Sequence, residues 1–278
     1  MGVCDVVKFD ELGWHRAMGG LLTALDQDDF WLRLTRLLTQ YVHFDSWVAL
    51  RFSAHERPLV LAEIAQEDGL PDPLFEDYLN GLYVLDPFFI AARETQRQGL
   101  VPLDDVAPDR FKSTEYYQRY FRLNIVEDEV QFNGLVGPDA MLCLSLGSHR
   151  RFTPADLALL GMVSQWVVPL MRQRWRHERR STAPPTDRPP EAAPGSAGFG
   201  LSNTSLSARE LEIARLMLSG HSSKGIAQRL GISVETVKVH RKHLYAKLDI
   251  NSQQELFARF MSHRLGEPAD RAVAVPPG

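Results

Sequence analysis

The stretch that decides the fold runs from Leu206 to Leu248 and reads LSARELEIARLMLSGHSSKGIAQRLGISVETVKVHRKHLYAKL. Its first helix is marked by an S-x-x-E capping box, in which Ser207 and Glu210 can each satisfy an amide of the first turn. Gly220 stands where glycine commonly closes a helix, because it adopts the left-handed conformation without strain. These signals predict one helix between Ser207 and Gly220.

Two more helices are expected after this one. Ser222 or Ser223 can cap a short helix that ends near Leu230. Gly231-Ile232-Ser233 forms a turn, and Ser233 is a natural N-cap for a third helix of about fifteen residues. The succession predicts a helix–turn–helix.

The third helix has two contrasting faces at about 100° per residue. Val237, Leu244 and Leu248 form an apolar stripe, flanked by His240 and Val234. The opposite face carries Glu235, Val239, Lys242 and Ala246, with Lys238 and His243 on its shoulders. Small apolar groups beside lysines suit a DNA major groove, where the lysines can reach guanine acceptors or phosphate. In isolation, the two lysines could also belong to an ordinary solvated face.

This region resembles the four-helix DNA-binding domain of the LuxR superfamily, which includes quorum-sensing regulators and NarL-type response regulators. The resemblance covers Leu201 to Leu265. The matching residues are Ser207, Arg209, Glu210, Gly220, Ile226, Ala227, Leu230, Ile232, Ser233, Thr236, Val237, His240, Lys247 and Leu248. A fourth helix from about Ser252 to Ser262 would correspond to the dimerisation helix of the family.

The resemblance implies double-stranded DNA as a partner, bound by a homodimer at a pseudo-palindromic operator. Lys238, Val239 and Lys242 fall at base-facing positions. Thr236 and Lys247 fall where the family contacts the DNA backbone or supports the helix. The full set of implied DNA-contacting residues is Thr236, Lys238, Val239, Arg241, Lys242, His243 and Lys247.

Two residues depart from the family pattern. Gly225 replaces the usual Glu before Ile-Ala, at a helix-propensity cost of about 1 kcal/mol. Gln253 stands where an Arg is common after the third helix, so a phosphate contact or a salt bridge is lost there.

Charge is divided unevenly along the chain. The whole chain has a net charge of −4. Residues 201–265 contain ten Lys and Arg against five Asp and Glu, a net charge of +5. Residues 1–180 contain nineteen Lys and Arg against twenty-six Asp and Glu, a net charge of −7. Positive charge is therefore concentrated where phosphates would be approached.

Composition also sets the domain boundaries. With 278 residues and 44% apolar content, the chain can form two globular domains. We expect a sensing or dimerisation domain at 1–180 and the DNA-binding domain at 201–265. Between them, residues 181–200 hold five prolines and predict an extended linker. Residues 266–278 predict a frayed tail.

The same composition favours a cytoplasmic protein. No apolar run approaches the eighteen or so residues of a membrane span, and the N-terminus lacks a signal-peptide pattern. Cys4 and Cys143 have no pairing or metal-type spacing, and Cys143 is expected to be a buried apolar residue. His240 and His243 lack the carboxylate or Cys that would complete a metal site. We expect neither a cofactor nor a metal.

The first 180 residues predict helices and strands in alternation. Their order favours an α+β chain whose N-terminal domain is an α/β/α sandwich of the PAS/GAF type, with an antiparallel sheet flanked by helices. Helices are expected at 14–25, 28–41, 72–81, 86–97, 113–122 and from Thr153 to 180. Strands are expected at 46–53, 58–65, 126–136 and 139–147, the last two joined at Gly137-Pro138.

The segment YLNGLYVLDPFF, residues 78–89, resembles the part of LuxR-type sensor domains that lines an acyl-homoserine lactone pocket. Asp86 would then bind the amide of the ligand. Asp104 stands where the family has the Trp that donates to the lactone carbonyl, which argues against a lactone in that pose. The candidate effector-binding residues are Trp47, Tyr78, Tyr83, Asp86, Phe88 and Tyr117.

Each candidate also has a purely structural interpretation. Asp86 before Pro87 is an ideal helix N-cap. The aromatic residues at helical spacing can be core residues. The strand that carries Trp47 can turn this side chain to either face of the sheet.

The leading hypothesis is a transcription regulator controlled by a small molecule that is not clearly an acyl-homoserine lactone; RNA polymerase could be a further partner. The alternative makes the N-terminal domain a ligand-free dimerisation or interaction module. A response regulator is disfavoured because the chain does not begin with the βα-repeating pattern of a receiver domain. An enzyme lacks support, since the sequence shows no nucleophile elbow, phosphate loop or metal-ligand cluster.

Overall fold

The computed structural model describes residues 12–53, 56–64, 73–125, 127–181 and 205–265. Residues 182–200 of the predicted linker, the predicted tail and Cys4 lie outside these ranges. The chain divides into two compact units. The first comprises Met1–Gly69, Ala91–Val106 and Ile125–Pro194, and the second comprises Leu70–Ile90, Ala107–Asn124 and Gly195–Gly278.

The first unit is built on an antiparallel sheet of five strands in the order β2-β1-β5-β4-β3. Its strands are β1 (Ser46–Ser53), β2 (Leu59–Glu63), β3 (Gly99–Pro102), β4 (Asp128–Gly137) and β5 (Ala140–Ser148). The helices of this unit are α1 (Leu12–Thr23), α2 (Phe30–Leu38) and α6 (Pro154–Ser181). The mixed α+β class with an antiparallel sheet is confirmed.

One face of the sheet forms the main hydrophobic core. Strand side chains alternate between faces, and Val130, Phe132 and Leu144 point to the face that is covered by α2 and α6. Trp31 of α2 and Val167 of α6 are almost completely buried in this core. Burial of each such side chain stabilises the fold by roughly 1.5–3 kcal/mol.

Helix α6 is the one helix among the described residues that is long and apolar enough to cross a membrane, judged by length and composition alone. The expectation that no stretch approaches a span therefore needs correction. Leu160, Val163 and Val167 of this helix are completely buried in the core of the first unit. Packing on the sheet thus accounts for these buried apolar side chains.

Strand β3 was not expected from the sequence. It pairs with β4 through four residues, from Gly99↔Asn133 to Pro102↔Val130. A short edge strand that contains Gly and Pro carries little strand signal. The helix expected at 86–97 also ends earlier, at Glu94, and Gln96 then adopts a positive φ of 49°.

The second unit contains two groups of helices. The first group comprises α3 (Pro73–Asn80), α4 (Pro87–Glu94), whose start belongs to this unit, and α5 (Arg122–Asn124). The second group comprises α7 (Ala208–Leu218), α8 (Ser223–Leu230), α9 (Val234–Leu248) and α10 (Gln253–Leu265). The helix expected at 113–122 is instead a 3-10 turn at Phe111–Ser113, followed by a π-helical turn at Tyr117–Phe121. The predicted C-terminal four-helix arrangement is confirmed.

Candidate nucleic-acid interface and sensor site

The predicted capping box opens α7. The Glu210 amide donates to the Ser207 hydroxyl at 3.3 Å, and the Ser207 amide donates to Oε2 of Glu210 at 2.8 Å. Gly220 follows the C-cap and has a positive φ of 97°. Both sequence signals are confirmed.

Glu210 also connects the start of α7 with the end of α9. Nζ of Lys247, near the end of α9, donates to Oε2 of Glu210 at 2.8 Å. The carboxylate is almost completely buried. The Lys247 ammonium, together with the Ser207 amide, lowers the pKa of Glu210 to about 2. Lys247 therefore supports the position of α9. Support of the helix is one of the two roles that the family resemblance implies for this residue.

Helix α8 is capped by Ser222, whose hydroxyl accepts from the Gly225 amide at 3.1 Å. Its C-cap is Gly231, which is left-handed with φ 64°. Nη1 of Arg241 on α9 donates to the Ser223 hydroxyl at 3.0 Å. Of the residues expected to contact DNA, Arg241 is thus bonded to the other helix of the motif.

The N-cap of α9 is Ser233, as expected. Its hydroxyl accepts from the Thr236 amide at 3.0 Å and lies 2.8 Å from the Thr236 hydroxyl. The predicted apolar stripe faces inward, since Val237, Leu244 and Leu248 are at most 2% exposed. Their burial fixes which side of α9 points outward.

The outward side of α9 is the surface that the sequence predicted. Its exposed residues are Glu235, Lys238, Val239, Lys242, His243, Ala246 and Lys247. Val239 is 51% exposed, which is unusual for a large apolar residue in this fold. Lys238 donates to Glu235 at 2.8 Å, but both side chains are more than half exposed. Such a pair is worth only about 0–1 kcal/mol, so Lys238 can exchange it for another anion.

Helix α10 is held against α7 by Gln253, one of the two residues that depart from the family pattern. Nε2 of Gln253 donates to the carbonyl of Met217 at 2.7 Å. Leu256 and Phe260 of α10 are fully buried. Gln253 therefore has a structural role here, which sequence reasoning did not anticipate.

Asp86 caps α4, as its structural interpretation predicted. Oδ1 accepts from the Phe88 amide at 2.8 Å, and Oδ2 accepts from the Tyr78 hydroxyl at 2.8 Å. Burial raises the pKa of Asp86 to about 6, while both hydrogen bonds act in the opposite direction. Burial also raises the pKa of Tyr78 well above its ordinary value. Both carboxylate oxygens are therefore engaged within the chain.

Four of the aromatic candidates are buried in the second unit, which also contains Asp86. Tyr78 packs against Tyr83, and both Phe88 and Tyr117 are buried in the same unit. Tyr78 also stacks on Tyr120 with ring centroids 5.2 Å apart. Tyr120 was missed because its partner is distant along the chain.

Trp47 belongs to the first unit and is part of its hydrophobic core. It lies on the same face of the sheet as Ala49 and Leu146. This settles which face the β1 strand presents to the core. The structure therefore gives Trp47 a packing role.

The opposite face of the sheet carries a row of buried polar residues that the sequence analysis did not single out. Glu129, Gln131 and Asn133 alternate along β4 and are at most 4% exposed. Glu129 accepts from the Ser145 hydroxyl and from Nε2 of Gln131. Oε1 of Gln131 and Oδ1 of Asn133 have no hydrogen-bond partner among the described residues. Such buried acceptors are costly unless a donor reaches them.

A cleft lies at the hairpin end of this same face. Leu135 of β4 pairs with Met141 of β5, and Met141 pairs with Phe52 of β1. All three side chains line the cleft, together with Arg93 and Asp139. The face thus combines buried acceptors with an adjacent opening.

The C-terminal region of the chain matches a known protein family. The family model described as bacterial regulatory proteins of the luxR family matches residues 204–260. A protein of Aeromonas salmonicida, described as an HTH-type transcriptional regulator in the exeN 3' region, is 34% identical over 190 residues. That match covers 66% of this chain and 96% of the relative.

Two further similarities each cover one part of the chain. The oxygen regulatory protein NreC of Staphylococcus haemolyticus is 43% identical over 60 residues, which are 22% of this chain and 28% of NreC. The structure of this chain is similar to the crystal structure of the VqsR LBD domain from Pseudomonas aeruginosa, with a TM-score of 0.56 and 41% sequence identity. It covers 60% of this chain and 99% of that domain.

Proposed function

The chain belongs to the luxR family of bacterial regulatory proteins, and from that membership we propose that it regulates transcription by binding a specific DNA sequence under the control of a small-molecule effector. The observation that carries this proposal is the outward face of α9. It presents Lys238, Val239 and Lys242 to solvent, while the buried stripe behind them keeps the face rigid.

The chemistry of this face favours reading of the major groove. Lys can donate to guanine O6 and N7, and a compact aliphatic group can touch a thymine methyl. Thr236 at the first turn can contact phosphate. Arg241 and Lys247, whose bonds to Ser223 and Glu210 hold the domain together, fit a supporting role with secondary DNA contact. His243 lies beside Lys242 on the exposed face.

Two such helices are needed to read a pseudo-palindromic operator. We therefore propose a homodimer, whose α9 helices enter adjacent major grooves about one helical turn apart. A regulator of this kind acts where the chromosome and RNA polymerase are, which makes the cytoplasm its place of action.

The N-terminal region is proposed to bind the effector. Its support is the unsatisfied Oε1 of Gln131 and Oδ1 of Asn133, beside the Glu129 carboxylate. Because these groups accept hydrogen bonds, a molecule that carries hydroxyl or amino donors would satisfy them. The engaged carboxylate of Asp86 fits its helix-capping role better than a contact with a lactone amide.

DNA binding is tested by titrating the full-length protein with its own promoter and with random duplex of equal length. A site-specific regulator should bind its promoter at least about a thousandfold more tightly at physiological salt. Equal affinities would refute sequence-specific regulation.

Effector binding is tested by native mass spectrometry of the freshly purified protein. A bound molecule of low mass, lost on mild denaturation, would support the sensor. A clean mass together with no thermal stabilisation by small polyols or amines would favour the alternative, a ligand-free dimerisation or interaction module. The observation that favours this alternative is the closely packed cluster around Tyr78 and Asp86.

A further inference from the structure

The segment Ala107–Asn124 makes specific contacts with the start of the helix–turn–helix. The Arg110 amide donates to the Gly220 carbonyl at 2.9 Å, and the Ser222 amide donates to Oδ1 of Asp109 at 3.0 Å. Hydrogen bonds from Ser222 lower the pKa of Asp109, with a smaller contribution from His221. The carboxylate is therefore held in its charged form at this position.

Gly220 allows the two backbones to approach closely. A Cβ at this residue would stand 2.6 Å from Cγ2 of Thr114 and 3.2 Å from the backbone of Phe111. The positive φ of 97° at Gly220 also disfavours any other residue. Both the space and the conformation thus require glycine.

Gly225 is the residue that replaces the usual Glu of the family, and it faces the same contact. A Cβ at Gly225 would lie 3.2 Å from Oδ1 of Asp109. A Glu side chain there would bring a second carboxylate against the first. The family's usual Glu is therefore replaced by Gly at the position that lies against the Asp109 carboxylate.

A third contact involves α10. The guanidinium of Arg119 lies over the ring of Phe257, with Cζ 5.3 Å from the ring centroid. The segment thus contacts the helix–turn–helix domain at two separate places, the Gly220–Ser222 turn and Phe257 of α10. Asp109 supplies the negative charge at the first of these places.

The first helix of a helix–turn–helix crosses the DNA backbone, and amides at helix N-termini commonly bind phosphate. Ser222 is the N-cap of α8, so its amide points where a phosphate oxygen would be bound. We propose that Ala107–Asn124 is an intramolecular docking surface for the helix–turn–helix, on which Asp109 competes with a DNA phosphate for the start of α8. This inference rests on the proposed DNA-binding function.

Docking leaves the outward face of α9 exposed, since Val239 remains 51% accessible. The competition therefore affects backbone contacts and leaves base reading intact. Release of Asp109 should strengthen binding to every duplex by a similar factor and add about one phosphate contact. A ligand or partner that displaces the segment would switch the protein toward DNA.

The test compares Asp109→Ala with Asp28→Ala in the full-length protein. Asp109 and Asp28 are both exposed, so each variant removes one surface charge, and Asp28 controls for net charge. Affinity is measured for the protein's own promoter and for random duplex over a range of salt concentrations. Hydrogen exchange of residues 219–225 reports docking directly.

Asp109→Ala should bind both duplexes about three- to tenfold more tightly than Asp28→Ala, with a salt dependence steeper by about one counterion. Exchange at residues 219–225 should become faster. Gly225→Ala should act in the same direction, because its Cβ would lie 3.2 Å from Oδ1 of Asp109 and the carboxylate would have to shift to give it room.

Two results would overturn the inference. If Asp109→Ala and Asp28→Ala bind DNA equally, or exchange at 219–225 is unchanged, the docking contact does not control binding, while the proposed function stands. If neither the wild type nor any variant binds DNA, the proposed function is wrong and the inference is wrong with it.

Discussion

Lys247 at the end of α9 and Glu210 at the start of α7 form an ion pair at 2.8 Å, and the Glu210 carboxylate is buried while Lys247 is partly exposed. Glu210 simultaneously completes the capping box with Ser207. One carboxylate thus fixes both the start of α7 and the end of α9, the helix that we propose faces DNA.

Lys247→Met should therefore reduce stability more than a surface substitution. Removal of the ammonium leaves Glu210 buried with one partner fewer, at a cost of about 1–3 kcal/mol in the free energy of unfolding. Chemical denaturation at neutral pH measures this, with Lys224→Met on the exposed side of α8 as control. Equal stability of the two variants would show that the ion pair is unimportant.

The same pair predicts a pH dependence. Because the pKa of Glu210 is lowered from 4.5 to about 2, its stabilisation is present above pH 4.5 and is lost as the pH falls toward 2. Lys247→Met should flatten the stability profile in this acid range. An unchanged acid transition would contradict the proposed cause of the shift.

The burial of Asp86 predicts the opposite pH window. Since burial raises the pKa of Asp86 from 3.8 to about 6, its contribution is fully present below pH 3.8 and declines as the pH rises through 6. Tyr78→Phe removes a bond that lowers this pKa, so the decline should move to higher pH. Denaturation profiles from pH 4 to 8 measure the shift, with Tyr117→Phe as control.

Val239 should matter for DNA and little for folding. Val239→Glu places a carboxylate on the face proposed to enter the groove and should weaken binding at least about tenfold. Its unfolding free energy should change by less than about 0.5 kcal/mol, since the site is exposed. Met162→Glu on α6 is a matched control because Met162 is also 51% exposed. A similar loss of DNA binding in both variants would remove the evidence for a specific surface.

Asn133 offers a test of the effector proposal. Asn133→Leu removes the unsatisfied oxygen and should abolish retention of a bound small molecule in native mass spectra, while the unliganded protein remains folded. Ser164→Ala in α6, which removes a hydroxyl that donates to the nearby Gly161 carbonyl, serves as control. Retention of the same molecule by Asn133→Leu would place the effector elsewhere.

Much of the helix–turn–helix could be predicted because its signals are local. Ser207, Glu210 and Ser233 act within one helical turn of their own position, and the stripe of Val237 and Leu244 follows from helical periodicity. The exposed face of α9 follows from the same periodicity.

Features that depend on distant partners could not be predicted. The short strand Gly99–Pro102 is defined by its pairing with β4 and carries no alternating pattern of its own. The hydrogen bond from the Ser222 amide to Asp109 joins residues 113 positions apart. The orientation of Trp47 depends on which face α2 and α6 cover.

The most direct test of the central claim is the base specificity of Lys242. Affinities of wild type and Lys242→Ala are measured for an operator in which each base pair is substituted in turn. We expect a loss of about 1–3 kcal/mol in binding free energy that is confined to the native operator, with the preference at one base pair of each half-site relaxed. An equal loss on every duplex would make Lys242 a phosphate contact, and no loss at all would contradict the assignment of α9 as the reading helix.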